Sequence, residues 1–245
     1  MSDDPGPDTA TLAETTLRVS GAHFSYGGVA ALNGVDLQAE PGAITCIMGR
    51  NGVGKTTLVK TICGILPLKT GSVHLGPRNL SSLPAHRRAR AGIGLVPQGR
   101  EIFPKLTVAE NLMVGCQARS DGRRQPPDAI WDLFEILRPM RARMGGDLSG
   151  GQQQQLAIAR ALAGDPKVLL LDEPTEGIQP NIIQEIGRVL RRLAEGGMTI
   201  ILVEQYLDFV REIGDTFVIM DRGRHVASDH MSELSDALVA RYLSV

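Results

Sequence analysis

The chain has no long apolar run. Its longest aliphatic stretches, Val168-Leu169-Leu170-Leu171 and Ile200-Ile201-Leu202-Val203, fall far short of the roughly 20 residues that span a bilayer, so it cannot cross a membrane alone. Cysteine is scarce: Cys46, Cys63 and Cys116 show no C-x-x-C spacing. That excludes a disulfide framework or a zinc site and reads as small core residues in a reducing compartment. The histidines His23, His74, His86, His225 and His230 are scattered without an H-E-x-x-H pattern and read as structural or surface groups. Excess charge of one sign is also lacking. A net charge of −1 gives no broad attraction for nucleic acid or anionic lipid, and the local run His86-Arg87-Arg88-Ala89-Arg90 reads as a solvated helix face. The start, Met1-Ser2-Asp3-Asp4-Pro5, is acidic without a basic n-region or an apolar h-region, so residues 1–15 are expected to be a disordered tail and not a signal peptide.

What is present is concentrated in a few motifs. Gly49-Arg50-Asn51-Gly52-Val53-Gly54-Lys55-Thr56 is a complete phosphate-binding loop, placed after the apolar run Ala43-Ile44-Thr45-Cys46-Ile47-Met48 and before a helix-like stretch over residues 55–62. Glycines let the backbone curl so that successive N–H groups point at phosphate oxygens, and the helix dipole adds to the attraction. Lys55 supplies a point charge to the β and γ phosphates, Thr56 a hydroxyl ligand for Mg²⁺, and Thr57 a further phosphate contact. Asp172 and Glu173 close a second apolar run, at the carboxyl end of a buried strand where open α/β sheets bind ligands. Asp172 is the candidate metal carboxylate and Glu173 the candidate base that activates water for phosphoryl transfer. Leu148-Ser149-Gly150-Gly151-Gln152 opens a helix over residues 153–163 and offers a second anion cradle.

With 245 residues and 42% apolar content the chain can bury a substantial core as one domain with an inserted or appended subdomain. The pattern predicts an α/β fold: a P-loop NTPase core with a mostly parallel sheet, an N-terminal antiparallel β subdomain over residues 16–39, and an inserted helical subdomain. The core is expected over residues 16–98 plus 152–245, and the helical subdomain over 99–151, with amphipathic helices at 108–113 and 130–137. The turn-rich stretch 118–127 is expected to be a mobile loop. Residues 167–171, 180–194 and 199–203 read as a β-α-β unit, and residues 216–227 as a hairpin before a closing helix.

The order phosphate loop, Gln98, L-S-G-G-Q, apolar-Asp-Glu resembles that of the ABC ATPases, from about residue 16 onward. The resemblance implies that two ATP molecules are sandwiched in a head-to-tail dimer. Ser149, Gly150, Gly151 and Gln152 of one subunit would then face the γ-phosphate held by the other. By the same resemblance Tyr26 stacks on adenine, and Gln98 reaches Mg²⁺ and water while bending the link to the helical insert. Two positions depart from the family. Gln205 stands where a histidine usually contacts the γ-phosphate, and Gln179 where an aspartate speaks across the dimer, which puts the usual cross-talk in doubt. Val203-Glu204-Gln205 resembles the branched-chain amino acid importer group, and within that group Gln98-Gly99-Arg100-Glu101-Ile102-Phe103-Pro104, Gly151-Gln152-Gln153-Gln154-Gln155-Leu156, Glu173-Pro174-Thr175-Glu176-Gly177-Ile178-Gln179-Pro180 and Glu204-Gln205-Tyr206-Leu207-Asp208-Phe209 resemble the urea-importer branch.

That resemblance implies an ATP-hydrolysing subunit, using ATP and Mg²⁺, peripheral on the cytoplasmic face of the inner membrane. Its implied partners are transmembrane permease subunits, a second ATPase subunit and, through the permease, an extracytoplasmic solute-binding protein, with no nucleic acid. Urea is the expected solute, with branched-chain amino acids as the alternative. A soluble ABC protein acting on DNA or ribosomes usually fuses two ATPase halves or carries long coiled-coil insertions, and neither is seen in these residues. A regulatory half-site that binds ATP without hydrolysing it is motivated by Gln205 and Gln179 and opposed by Glu173.

Overall fold

The computed structural model describes residues 15–243, so the expected tail lies outside the described residues except for Thr15, whose carbonyl accepts from Thr199 Oγ1 at 2.9 Å. Two sheets form. The first has the order β2-β1-β4-β5. Its strands β1 (Leu17–Tyr26) and β2 (Val29–Ala39) are antiparallel across the two-residue turn Gly27-Gly28, and β4 (Thr70–Leu75) and β5 (Arg78–Asn79) extend it. Buried Leu17 and Val19 alternate with exposed Arg18 and Ser20, the period expected of a sheet covered on one face.

The second sheet has the order β10-β9-β3-β8-β7-β6. Strands β3 (Ile44–Met48), β6 (Ile93–Val96), β7 (Val168–Asp172), β8 (Thr199–Val203) and β9 (Thr216–Asp221) run parallel, and β10 (Arg224–His230) closes the edge as an antiparallel hairpin. Every residue of β3, β7 and β8 is buried, as continuous apolar runs in a doubly covered sheet require. Successive side chains serve opposite faces. Leu170, Ile201 and Val218 pack with the first sheet and α1 (Lys55–Ile62), whereas Leu169, Leu171, Ile200 and Leu202 pack with α5 (Gly150–Ala163) and α6 (Pro180–Glu195). The remaining helices are α2 (Ala85–Arg90), α3 (Val108–Gly115), α4 (Asp128–Leu133), α7 (Leu207–Ile213) and α8 (Asp236–Tyr242). No helix among the described residues is long and apolar enough to cross a membrane.

One expected helix changes. The helix read over residues 130–137 is broken: α4 stops before Phe134 (φ −127°, ψ 65°) and a 3₁₀ segment, Glu135–Met140, follows. Pro139 lies inside that segment, and it has no N–H for the Glu135 carbonyl and crowds it. Trp131 and Leu137 still reach the same core. The turn-rich stretch begins with Arg119 bonded to Asp121 (2.9 Å) and to Asp165 (3.3 Å), just past the end of α5.

The basic run is not a uniformly solvated face. Arg88 is 1% exposed, and its guanidinium donates to the carbonyls of Leu83, Thr61, Ile62 and Ser81 at 2.8–2.9 Å. Two of these carbonyls end α1, so a cation sits at the negative end of the helix that follows the phosphate loop. All three cysteines are free and buried, and burial pushes the Cys63 thiol up to about 12. Arg88→Ala is expected to destabilise the protein by about 3 kcal/mol or more, because four carbonyls lose a charged donor. A guanidinium chloride midpoint shifted down at constant m-value is the expected result, and an unmoved midpoint contradicts it.

Candidate functional site

Backbone geometry builds the phosphate loop. Gly49 (φ 150°) and Gly54 (φ 109°) are left-handed, and a Cβ at either would collide with the carbonyl oxygen of Met220 or of Ala31. The loop is thus wedged between β9 and β2. Val53 turns its side chain into the core and leaves only backbone for a ligand, while Gly223 N donates to its carbonyl at 2.9 Å. Gly54 caps α1, whose N-terminus faces the loop and has no acidic residue in its first turn. Lys55 donates through Nζ to the carbonyls of Gly49 (2.8 Å) and Arg50 (3.0 Å), and lies 3.9 Å from Glu173 Oε1. Burial pushes its pKa below the usual lysine range, and the charges of Glu173, Asp172 and Glu204 oppose that shift.

Asp172 ends β7 at 2% exposure, and its Oδ1 is buried without a hydrogen-bond partner among the described residues. Burial raises its pKa, countered by a hydrogen bond from the Thr56 hydroxyl. A desolvated carboxylate oxygen with no donor, beside a hydroxyl at the start of α1, has the donor chemistry that a hard divalent cation prefers.

The chain turns sharply after Asp172. Glu173 takes φ 49°, and its N–H donates to the Val203 carbonyl at 2.9 Å. Each oxygen of its carboxylate is then held by one amide: Oε2 by Gln98 Nε2 at 3.0 Å and Oε1 by Gln205 Nε2 at 2.6 Å. Gln205 Nε2 also donates to Asn51 Oδ1 at 2.8 Å. Asn51, Gln205, Glu173 and Gln98 follow β3, β8, β7 and β6, four adjacent parallel strands, so they meet at one edge of the sheet. They line a cleft of about 780 Å³ together with Gly52, Thr56, Thr57 and Tyr26. Tyr26, at the hairpin tip, is 52% exposed and packs edge to face on Phe24, with ring centroids 4.9 Å apart.

Ser149, Gly150, Gly151 and Gln152 do not line this cleft. Ser149 is the N-cap of α5: its backbone N–H donates to Gln152 Oε1 at 3.0 Å and its Oγ accepts from Gln152 N at 3.4 Å. This reciprocal pair presets the helix start. The motif is therefore formed within the chain but placed apart from the chain's own phosphate loop.

Glu204 was not anticipated as a site residue. It is 3% exposed and accepts from Thr175 N (2.9 Å), Thr175 Oγ1 (2.6 Å), Gln205 N (2.9 Å) and Tyr206 N (3.3 Å). The clamp ties the loop after β7 to the loop after β8. A carboxylate directly after an apolar strand is the same signal that marks Asp172, and it stands at Val203-Glu204 too.

Glu204→Ala is expected to cost about 1–3 kcal/mol, because buried donors lose their acceptor, and a native-like thermal midpoint contradicts the clamp. Lys55→Ala is expected to weaken ATP affinity in a fluorescent-nucleotide titration. Unchanged affinity contradicts the cradle.

The sequence profile of the ABC transporter family matches residues 32–176, the span that carries the loop, Gln98, the L-S-G-G-Q motif and Asp172-Glu173. The chain is 39% identical, over 83% of its length and 88% of the relative's, to the high-affinity branched-chain amino acid transport ATP-binding protein BraG of Pseudomonas aeruginosa. It is 34% identical, over 88% of both chains, to the lipopolysaccharide export system ATP-binding protein LptB of Escherichia coli strain K12. The dimeric structure of a post-hydrolysis state of an ATP-binding cassette, bound to ADP and Pi, superposes with a TM-score of 0.77 at 25% identity, covering 88% of this chain and 98% of that one. This chain belongs to the ABC transporter family, with the ABC ATPase fold, as its ATP-hydrolysing subunit.

Proposed function

We propose that the chain works as one half of a head-to-tail ATPase pair that energises an importer from the cytoplasmic face of the membrane. The observation that carries this reading is the carboxylate of Glu173, gripped on both oxygens and 3.9 Å from the phosphate-loop lysine. In this reading Gly49, Arg50, Asn51, Gly52, Val53, Gly54, Lys55, Thr56 and Thr57 cradle the phosphates and Tyr26 supports the adenine. Ser149, Gly150, Gly151 and Gln152 act on the nucleotide of the partner subunit, for which their distance from this chain's own cleft is the support. Thr56, Gln98 and Asp172 would hold Mg²⁺, which when bound neutralises charge on the phosphate oxygens. Glu173 accepts a proton from the attacking water. Gln98 and Gln205 fix the direction in which it does so.

Residues 99–151 act in this reading as the helical signature subdomain on a core of 16–98 plus 152–245, with α5 running through the boundary between them. The subdomain would dock permease subunits, through which an extracytoplasmic binding protein delivers solute. No residue of an ATPase subunit touches the solute. Urea rests on the likeness of residues 98–104, 151–156, 173–180 and 204–209 to the urea-importer branch, whereas the relative named for branched-chain amino acids favours that second reading.

Glu173→Gln is expected to cut steady-state ATP turnover of the assembled complex by orders of magnitude, each tenfold being about 1.4 kcal/mol of barrier. Turnover at the native rate would remove Glu173 as the base. Uptake of labelled urea and labelled leucine, compared in cells lacking only this chain, separates the two solutes. Loss of urea uptake alone supports the first reading, loss of leucine alone the second, and loss of neither contradicts an importer for either.

A further inference from the structure

Glu176 lies exposed on the rim of the same cleft, three residues after Glu173, and has no part in the reading above. Its Oε2 is 3.1 Å from Gln98 Nε2, the nitrogen that also donates to Glu173 Oε2 at 3.0 Å. A primary amide nitrogen has two hydrogens and accepts none. Both hydrogens of Gln98 are therefore committed, one to each carboxylate. Turned over, the amide would set its carbonyl oxygen against two carboxylate oxygens, acceptor against acceptor. With both N–H groups bound, Oε1 is the one group of the Gln98 amide left for the cleft.

The backbone holds Glu176 where it can do this. Glu176 N donates to the Glu173 carbonyl (3.4 Å) and Ile178 N to the Thr175 carbonyl (3.1 Å), a tight turn anchored at Thr175 by buried Glu204. Gly177, at φ 66°, lets the chain reverse there. The Glu176 carbonyl also receives a long contact, 3.5 Å, from Arg100 Nη2, on the segment that follows Gln98. The turn therefore meets the Gln98 segment through side chain and backbone alike.

We propose that Glu176 is a positioning residue for ATP hydrolysis. By accepting the second N–H of Gln98 it fixes the amide, so that the first N–H stays on Glu173. Glu173 then keeps its orientation on the Gln98 side. Glu176 touches neither the reacting atoms nor the phosphate loop, so its effect falls on turnover and not on nucleotide affinity. The inference rests on Glu173 being the base, and the two ideas fail separately.

The test compares E176A, E176Q and E173Q in the assembled, ATP-hydrolysing complex. E176A is expected to lower kcat about tenfold, the scale of one lost charged hydrogen bond, while KM for ATP and the thermal midpoint stay native-like. E176Q keeps an acceptor oxygen for Gln98 Nε2 and is expected to recover most of that loss. Native kcat in E176A, with E173Q inactive, overturns the positioning role and leaves the base in place. Native turnover in E173Q removes the base itself. Equal impairment of E176A and E176Q, or a change in E176A confined to KM, points to the charge of Glu176 acting on nucleotide and also overturns the proposal.

Discussion

The site depends on a sheet buried on both faces. In β7 and β8 every apolar side chain faces one of two apolar cores, so a slip of one residue would exchange the two sets and leave both cores mispacked. The register is thereby fixed with Asp172 opposite Val203. Glu173 and Glu204 consequently leave neighbouring strands side by side, one carboxylate turned to the cleft and the other folded under it. The parallel arrangement carries the loops of β3 and β6 to the same edge. Four segments distant in sequence thus converge on one carboxylate without any of them being long.

Within that frame the polar groups divide by burial. Glu204 is sealed and fully engaged, and acts as a rivet between two loops. Asp172 is sealed and incompletely engaged, a state that costs free energy unless a cation completes it. Glu173 is held by amides, which orient it without supplying a full positive charge beyond that of Lys55. Arg88 does comparable work behind the loop, where its guanidinium ties the end of α1 to the turn before α2. The phosphate loop is thus fixed at its start by Met220 and at its end by Ala31, through the space that Gly49 and Gly54 leave open, and the helix after it is fixed at its far end by Arg88.

Much of this was legible in the chain because it is local. The glycine spacing, the helix over 55–62, the two-glycine hairpin and the paired carboxylates after β7 each fall within a few residues, and the structure places the elements there. What escaped is long-range or positional. The bonds of Glu173 reach Gln98, 75 residues before it, and Gln205, 32 residues after it, and no local pattern couples them. Arg88 reads as surface by composition, and only the packing of α2 on α1 shows it buried. The helix over 130–137 had the right apolar period, but the period ignored the backbone cost of Pro139. Glu204 carries the same local mark as Asp172, and only its bonds to Thr175, 29 residues before it, show what it holds.

The central claim is that Glu173 works as a carboxylate held from both sides by Gln98 and Gln205. The most direct test is a double-mutant cycle on ATP turnover of the assembled complex, with Gln98→Ala, Gln205→Ala and the pair measured together. If the amides act through one shared carboxylate, releasing either side frees it, and the double variant should be no slower than the worse single variant within about twofold. Single effects that simply multiply would show two independent roles and contradict the account.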